Sequence, residues 1–127
     1  MSDATYNADE TRGREKPIVW LHGRVETPPF SLQGRLLAGG LLRRVQRGQR
    51  LGLPHSRPMP VIGPRCHELR LHDEGRQWRI FYFVGTRVIV VLAIVAKKST
   101  RTPQGVIEGC RRRLSIYLLS HQGGDTP

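Results

Sequence analysis

The side chains of this sequence that are able to do chemistry are mostly cations, and their spacing brings several of them together. Arg70 and Arg79 each interrupt a stretch of apolar or alternating residues, and Lys97-Lys98 close the apolar run Val88 to Ala96. Successive side chains of a strand point to opposite faces, so three adjacent antiparallel strands gather these cations on one face of a sheet, with Glu68 two residues before Arg70 on that same face. Guanidinium groups bind phosphate in a bidentate fork, and fixed cations stabilise charge that builds up on phosphoryl oxygens. The chemistry these residues suit is therefore that of a phosphate-rich partner.

Three strands have to position them. His67 to His72 alternates, with Leu69 and Leu71 on one face and Glu68, Arg70 and His72 on the other. Asp73-Glu74-Gly75 supplies turn chemistry, and Trp78 to Phe83 returns as an aromatic and β-branched strand. Gly85-Thr86 makes a second turn. Val88 to Ala96 then runs without a charge, too short for a membrane helix of about 20 residues, and is expected to be a central strand buried on both faces.

The remaining chain supplies a strand, two helices and a long loop. Met1 to Lys16 is polar, with Tyr6 its bulky residue, and is expected to be a disordered tail. Pro17 to His22 reads as a first strand, stopped by the connector Thr27-Pro28-Pro29-Phe30. Ser31 is an N-cap for a helix whose apolar stripe is Leu37, Ala38, Leu41, Leu42 and Val45, with Arg35, Arg43, Arg44 and Arg47 off the stripe. Gly39-Gly40 either breaks this helix or lets it lie close to the sheet, and Gly48 ends it. Arg50 to Pro64, with four prolines, is a loop that carries His55 and Arg57 and leads into Arg65. Thr102 and Pro103 open a last helix with Val106, Ile107, Cys110, Leu114, Tyr117 and Leu118 inward and Arg111, Arg112 and Arg113 outward. The expectation is one α+β domain over residues 17–119, in the order β-α-loop-β-β-β-α, followed by a flexible tail at 120–127.

Charge narrows the partner. Lys and Arg number 21 against 10 Asp and Glu, a net charge of +11. Thr27 to His67 holds seven arginines and no acid, and Gly75 to Ile107 holds six cations and no acid. A polyanion partner follows, and the preponderance of Arg favours phosphate recognition. A genome that writes Arg for Lys would explain the ratio of the two but not the excess charge. Two cysteines make no disulfide framework, and the N-terminus has no apolar segment, so a cytoplasmic location is expected. No amphipathic helix with a bulky apolar face points to a membrane.

Taken together, Pro64-Arg65-Cys66-His67-Glu68-Leu69-Arg70, Trp78-Arg79-Ile80-Phe81-Tyr82, Lys97-Lys98 and Thr102-Pro103 resemble the HigB-like, phage-derived branch of the RelE/ParE superfamily of bacterial toxins. Thr27 to Ser31 and Leu42 to Gly48 resemble the same branch, so the likeness runs from about Pro17 to Tyr117. It implies an antiparallel sheet of about four strands packed on helices, with the opposite, open face binding RNA. It also implies cleavage of messenger RNA on the ribosome without a metal or other cofactor, by attack of a ribose 2′-OH on the adjacent phosphate. On that likeness Arg79 and Arg70 are phosphate clamps, Lys97 or Lys98 stabilises charge or donates a proton, and Glu68 is a candidate base. His55, Arg57, Arg65, Arg76 and Arg101 are candidates for further RNA contacts. The implied partners are mRNA, the ribosome and a cognate helix-turn-helix antitoxin. The sequence departs from relatives with a lysine or catalytic histidine at fixed positions, which leaves the base open.

Each residue also has a plainer role. Arg70 can pair with Glu68 or Glu74 and Arg79 with Asp73, Lys97-Lys98 can solvate a strand end, Tyr82 falls among core residues, and His55 and Arg57 can be loop surface. Cys66, His67, His72 and Cys110 lack zinc-ligand spacing, and no nucleophile-elbow pattern is present. The alternative function is a noncatalytic basic module that binds RNA or the ribosome through the same cations.

Overall fold

In a computed structural model that describes residues 15–22 and 30–121, the chain runs β1 (Ile18–Trp20), α1 (Leu32–Gln46), β2 (Ser56–Pro58), β3 (Cys66–Asp73), β4 (Arg76–Val84), β5 (Ile89–Ala96) and α2 (Gln104–Ser120). The expected disordered tail, apart from Glu15 and Lys16, the connector at 27–29 and the tail beyond His121 lie outside the described residues. Alternation and turn chemistry build the middle of the sheet. Glu74 and Gly75 take φ of 51° and 75°, the left-handed pair that closes a two-residue hairpin between Asp73 and Arg76.

The sheet departs from the expected four antiparallel strands. It has five, in the order β1-β5-β4-β3-β2, and β1 runs parallel to β5, so it is mixed. The added strand, β2, lies inside the proline-rich loop and pairs with β3 at the sheet edge, where Pro58 needs no ladder N–H. Periodicity tells which face a residue takes but not which strand lies beside it, and for that reason the parallel pairing was illegible.

Both faces of the sheet are covered. Leu69, Leu71, Trp78, Ile80, Tyr82, Ile89 and Val91 pack under α1 with Ala38, Leu41, Leu42 and Val45. Phe81, Phe83, Val90 and Leu92 pack on the other side with Met59, Ile62 and Ile107, Cys110, Leu114 and Tyr117 of α2. The fully open face implied by the resemblance is thus reduced to one end, because the C-terminal helix and the loop around Met59 occupy the rest.

Helix α1 begins as expected: Ser31 Oγ accepts the Gly34 N–H at 3.0 Å. It continues unbroken through Gly39-Gly40, where an added Cβ would meet nothing within 4 Å. The close approach to the sheet is made at Gly34, where a Cβ would come within 2.7 Å of Asp73 Oδ1. Leu37 is 43% exposed and leaves the stripe. Helix α2 starts at Gln104, one residue late, with Pro103 as a cap that makes no side-chain bond. Arg113 turns inward and donates to the Leu92 carbonyl at 3.0 Å, whereas Arg111 and Arg112 are exposed.

Candidate nucleic-acid interface

The β3–β4 register decides how the cations meet. Arg70 stands opposite Arg79, Glu68 opposite Phe81, and Arg57 on β2 opposite Glu68. By alternation Arg57, Glu68, Arg70, His72, Gln77 and Arg79 share the face that α2 covers in part. Asp73 belongs to the α1 face, where its carboxylate accepts the Ser31 N–H at 2.8 Å and the Ser31 hydroxyl. It therefore cannot meet Arg79, and the acid that does is Glu68.

Glu68 lies between two guanidinium groups. Arg57 Nε donates to Oε1 at 2.6 Å, and Arg79 Nε lies 2.6 Å from Oε2. The second contact is close but lies off the N–H direction, so it is an ion pair without an aligned hydrogen bond. Glu68 is fully buried and the Arg79 side chain is 3% exposed, while Arg57 is 39% exposed. The Nη atoms of Arg79 reach the carbonyls of Ser99, Thr100 and Arg101 at 3.4, 3.1 and 3.3 Å. In this arrangement Arg79 braces the segment after Lys98, with Glu68 sealed from solvent and Arg79 nearly so.

Beside this buried pair the sheet end opens into a cavity of about 330 Å³ lined by Pro54, Arg70, His72, Gln77, Arg79 and Lys97, with no carboxylate. Among the described residues, no side-chain hydrogen bond or ion pair occupies Arg70, His72 or Lys97. Lys97 is fixed by its own N–H, which donates to the Gln77 carbonyl at 2.8 Å, and Arg70 by its N–H to the His55 carbonyl at 2.8 Å. Arrested backbone and unengaged cationic heads are what a phosphate-binding surface requires.

The other candidates are scattered around this cavity. Lys98 is exposed and does not line it, and Arg101 contributes its carbonyl to Arg79 while its side chain is exposed. His55 is exposed on the loop. Arg76 lies on the α1 face, 5.9 Å from the Trp78 ring centroid, a cation–π contact. Arg65 is exposed at the far end of β3. His72 and Gln77 join the site beyond the residues expected there, and alternation along β3 sets His72 on the same face as Arg70.

Burial pushes the Cys66 thiol up to about 12 and the Cys110 thiol up to about 11. Both are in the α2-side core. Among the described residues no group of three His, Cys, Asp or Glu comes together, and no helix is long and apolar enough to cross a membrane. Residues 30–115 match the family model described as phage derived protein Gp49-like (DUF891). No curated protein matches the chain.

Proposed function

The chain belongs to the Gp49-like phage-derived family, and from that premise we propose that it is the toxin of a type II toxin–antitoxin pair, a metal-independent endoribonuclease acting on ribosome-bound mRNA. The observation that carries this reading is the acid-free cavity where Arg70, His72 and Lys97 face one another with no internal partners. The resemblance to HigB-like toxins supplies the reaction, and the geometry supplies groups for it.

An RNA phosphate in this cavity meets Arg70 and Lys97, which stabilise the charge that grows on the phosphoryl oxygens. His72 takes the 2′-OH proton, the reaction that imidazole performs best near neutral pH. The 2′ oxygen bonds to phosphorus, the bond to the 5′ oxygen breaks, and Lys97 returns a proton to that leaving oxygen. The products are a 2′,3′-cyclic phosphate and a 5′-hydroxyl end. Arg79, anchored by Glu68, positions the segment 99–101 and through it the lysine pair. The partner in this reading is a cognate helix-turn-helix antitoxin.

A second reading, a noncatalytic RNA- or ribosome-binding module, draws on the same Glu68–Arg79 pair. With those two residues engaged by each other, the exposed cations that remain are also sufficient to hold phosphate. Arg70→Ala separates the two. Induced in a bacterial host, it should abolish growth arrest and mRNA cuts while keeping most ribosome affinity if the residue serves catalysis. A binding module would lose affinity modestly, in step with salt.

A further inference from the structure

A second acid-free pocket lies on the opposite face of the sheet, at the far end of β3. It has a volume of about 390 Å³, and Lys16, Arg50, Arg65, His67 and Tyr82 line it together with residues at the end of α1. The His67 ring stacks on Tyr82 at 5.3 Å and 22°, and the Tyr82 hydroxyl is held 2.8 Å from Ser56 Oγ. Lys16 Nζ is anchored to the Gly85 carbonyl at 2.8 Å. Arg50 and Arg65 are exposed at this pocket and, among the described residues, have no acidic partner.

Two features make this more than a basic patch. Arg65 has φ of 63°, left-handed backbone that an arginine rarely adopts, and its carbonyl accepts the Val84 N–H at 2.9 Å, which fixes that backbone in place. A neighbouring depression adjoins the pocket, sharing Arg50, Leu51 and His67 as walls, and reaches Ser56 and Arg57 on the edge strand β2. Arg57 is bonded to Glu68 on the other face. A cationic path thus leads around the β2 edge from Arg65 and Arg50, past Arg57, toward Arg70. Burial, and after it the Arg50 charge, lowers the proton affinity of His67, which favours a neutral ring beside these cations.

We propose that this pocket is a second phosphate subsite, which takes the backbone of a single-stranded RNA whose reacting part lies at Arg70, so that the strand wraps the β2 edge. The inference rests on the RNA reading above, and its test separates the two. Full-length protein is titrated with fluorescein-labelled, fully 2′-O-methyl RNA, which cannot be cleaved, as a trimer and as a twelve-mer. Arg50→Gln with Arg65→Gly is compared with Arg111→Gln with Arg112→Gln, which removes the same charge from the exposed face of α2. Glycine suits the φ of residue 65, so the first variant should fold.

The expected result is a roughly tenfold loss of twelve-mer affinity in the Arg50/Arg65 variant, with the salt slope reduced by about 1.4 for two lost contacts to single-stranded phosphate. The trimer should bind as to wild type, and the α2 variant should bind the twelve-mer far better. Equal losses in the two variants would overturn the subsite and leave the RNA reading intact. Failure of wild type to bind either free RNA would also overturn the subsite, and the RNA reading would then stand or fall on the ends of cellular RNA made on induction. If adenosine monophosphate protected wild type but not the Arg50/Arg65 variant from thermal unfolding while the twelve-mer bound both equally, the pocket would be a free-nucleotide site and the wrapped strand would be refuted.

Discussion

Arg79 Nε lies 2.6 Å from Glu68 Oε2, inside the sheet and diagonally across β3 and β4, while Arg79 stands directly opposite Arg70. Two arginines opposite each other on paired strands repel. The carboxylate two residues before Arg70 offsets that repulsion and lets one arginine be buried while the other stays half-buried beside the cavity. This division of labour separates a structural guanidinium from one available to a ligand.

Removing the charge of Glu68 should therefore unfold the protein more easily. Glu68→Gln leaves a buried cation without its counter-ion, and a loss of about 3–5 kcal/mol is expected, most of it from Arg79 and less from half-exposed Arg57. Urea denaturation checks this. The paired replacement Glu68→Leu with Arg79→Met should regain most of the loss, since an apolar pair of similar volume is often as stable as the buried ions. A harmless Glu68→Gln would contradict the account of the pair.

Glycine substitutions in α1 should differ in sign. Gly40→Ala meets open space and should stabilise the helix by about 0.5–1 kcal/mol. Gly34→Ala would drive its methyl group into the Asp73 carboxylate and should destabilise by about 1–3 kcal/mol. Thermal unfolding of the two variants reads both effects.

Acid should weaken the junction between the β3–β4 turn and α1. The Ser31 hydroxyl, and then its backbone N–H, hold the Asp73 carboxyl below the usual carboxylate range. A depressed folded value contributes stability above the unfolded value of about 4, and that contribution fades as pH falls through the folded value. Ser31→Ala should be less stable than wild type at neutral pH, by about 1 kcal/mol for the helix cap alone. The difference between the two proteins should shrink below about pH 4. A constant difference would show that Asp73 does not respond to Ser31.

The buried thiols should be slow to react. With Cys66 near 12 and Cys110 near 11, almost no thiolate exists at neutral pH. A disulfide reagent should label neither cysteine in the folded chain and both in denaturant.

The legible parts of the sequence were those governed by local rules. Strand β3 follows from alternation, β4 from its aromatic and β-branched residues, β5 from its charge-free apolar run and the turns between them, and the start of α1 from Ser31. Strand β2 is three residues long and contains a proline, so no periodicity could announce it. Alternation assigns Arg79 to the same face as Arg70 but says nothing of depth, which α2 and the segment 99–101 determine from a distance in the chain. The same blindness hid His72, because its value lies in sharing a cavity with Lys97, a residue on another strand's extension. Gly34 lacked any sequence signal that distinguished it from Gly39 and Gly40, since only the sheet shows which glycine approaches it.

The most direct measurement captures the ends of cellular RNA after wild type, Arg70→Ala and His72→Ala are induced in a bacterial host. New 5′-hydroxyl ends inside translated reading frames are expected for wild type, matched by 2′,3′-cyclic phosphates upstream. Those ends should vanish in His72→Ala and Arg70→Ala, both confirmed to be folded. New ends that carry 5′-phosphate, or undiminished cutting by His72→Ala, would contradict the proposed mechanism.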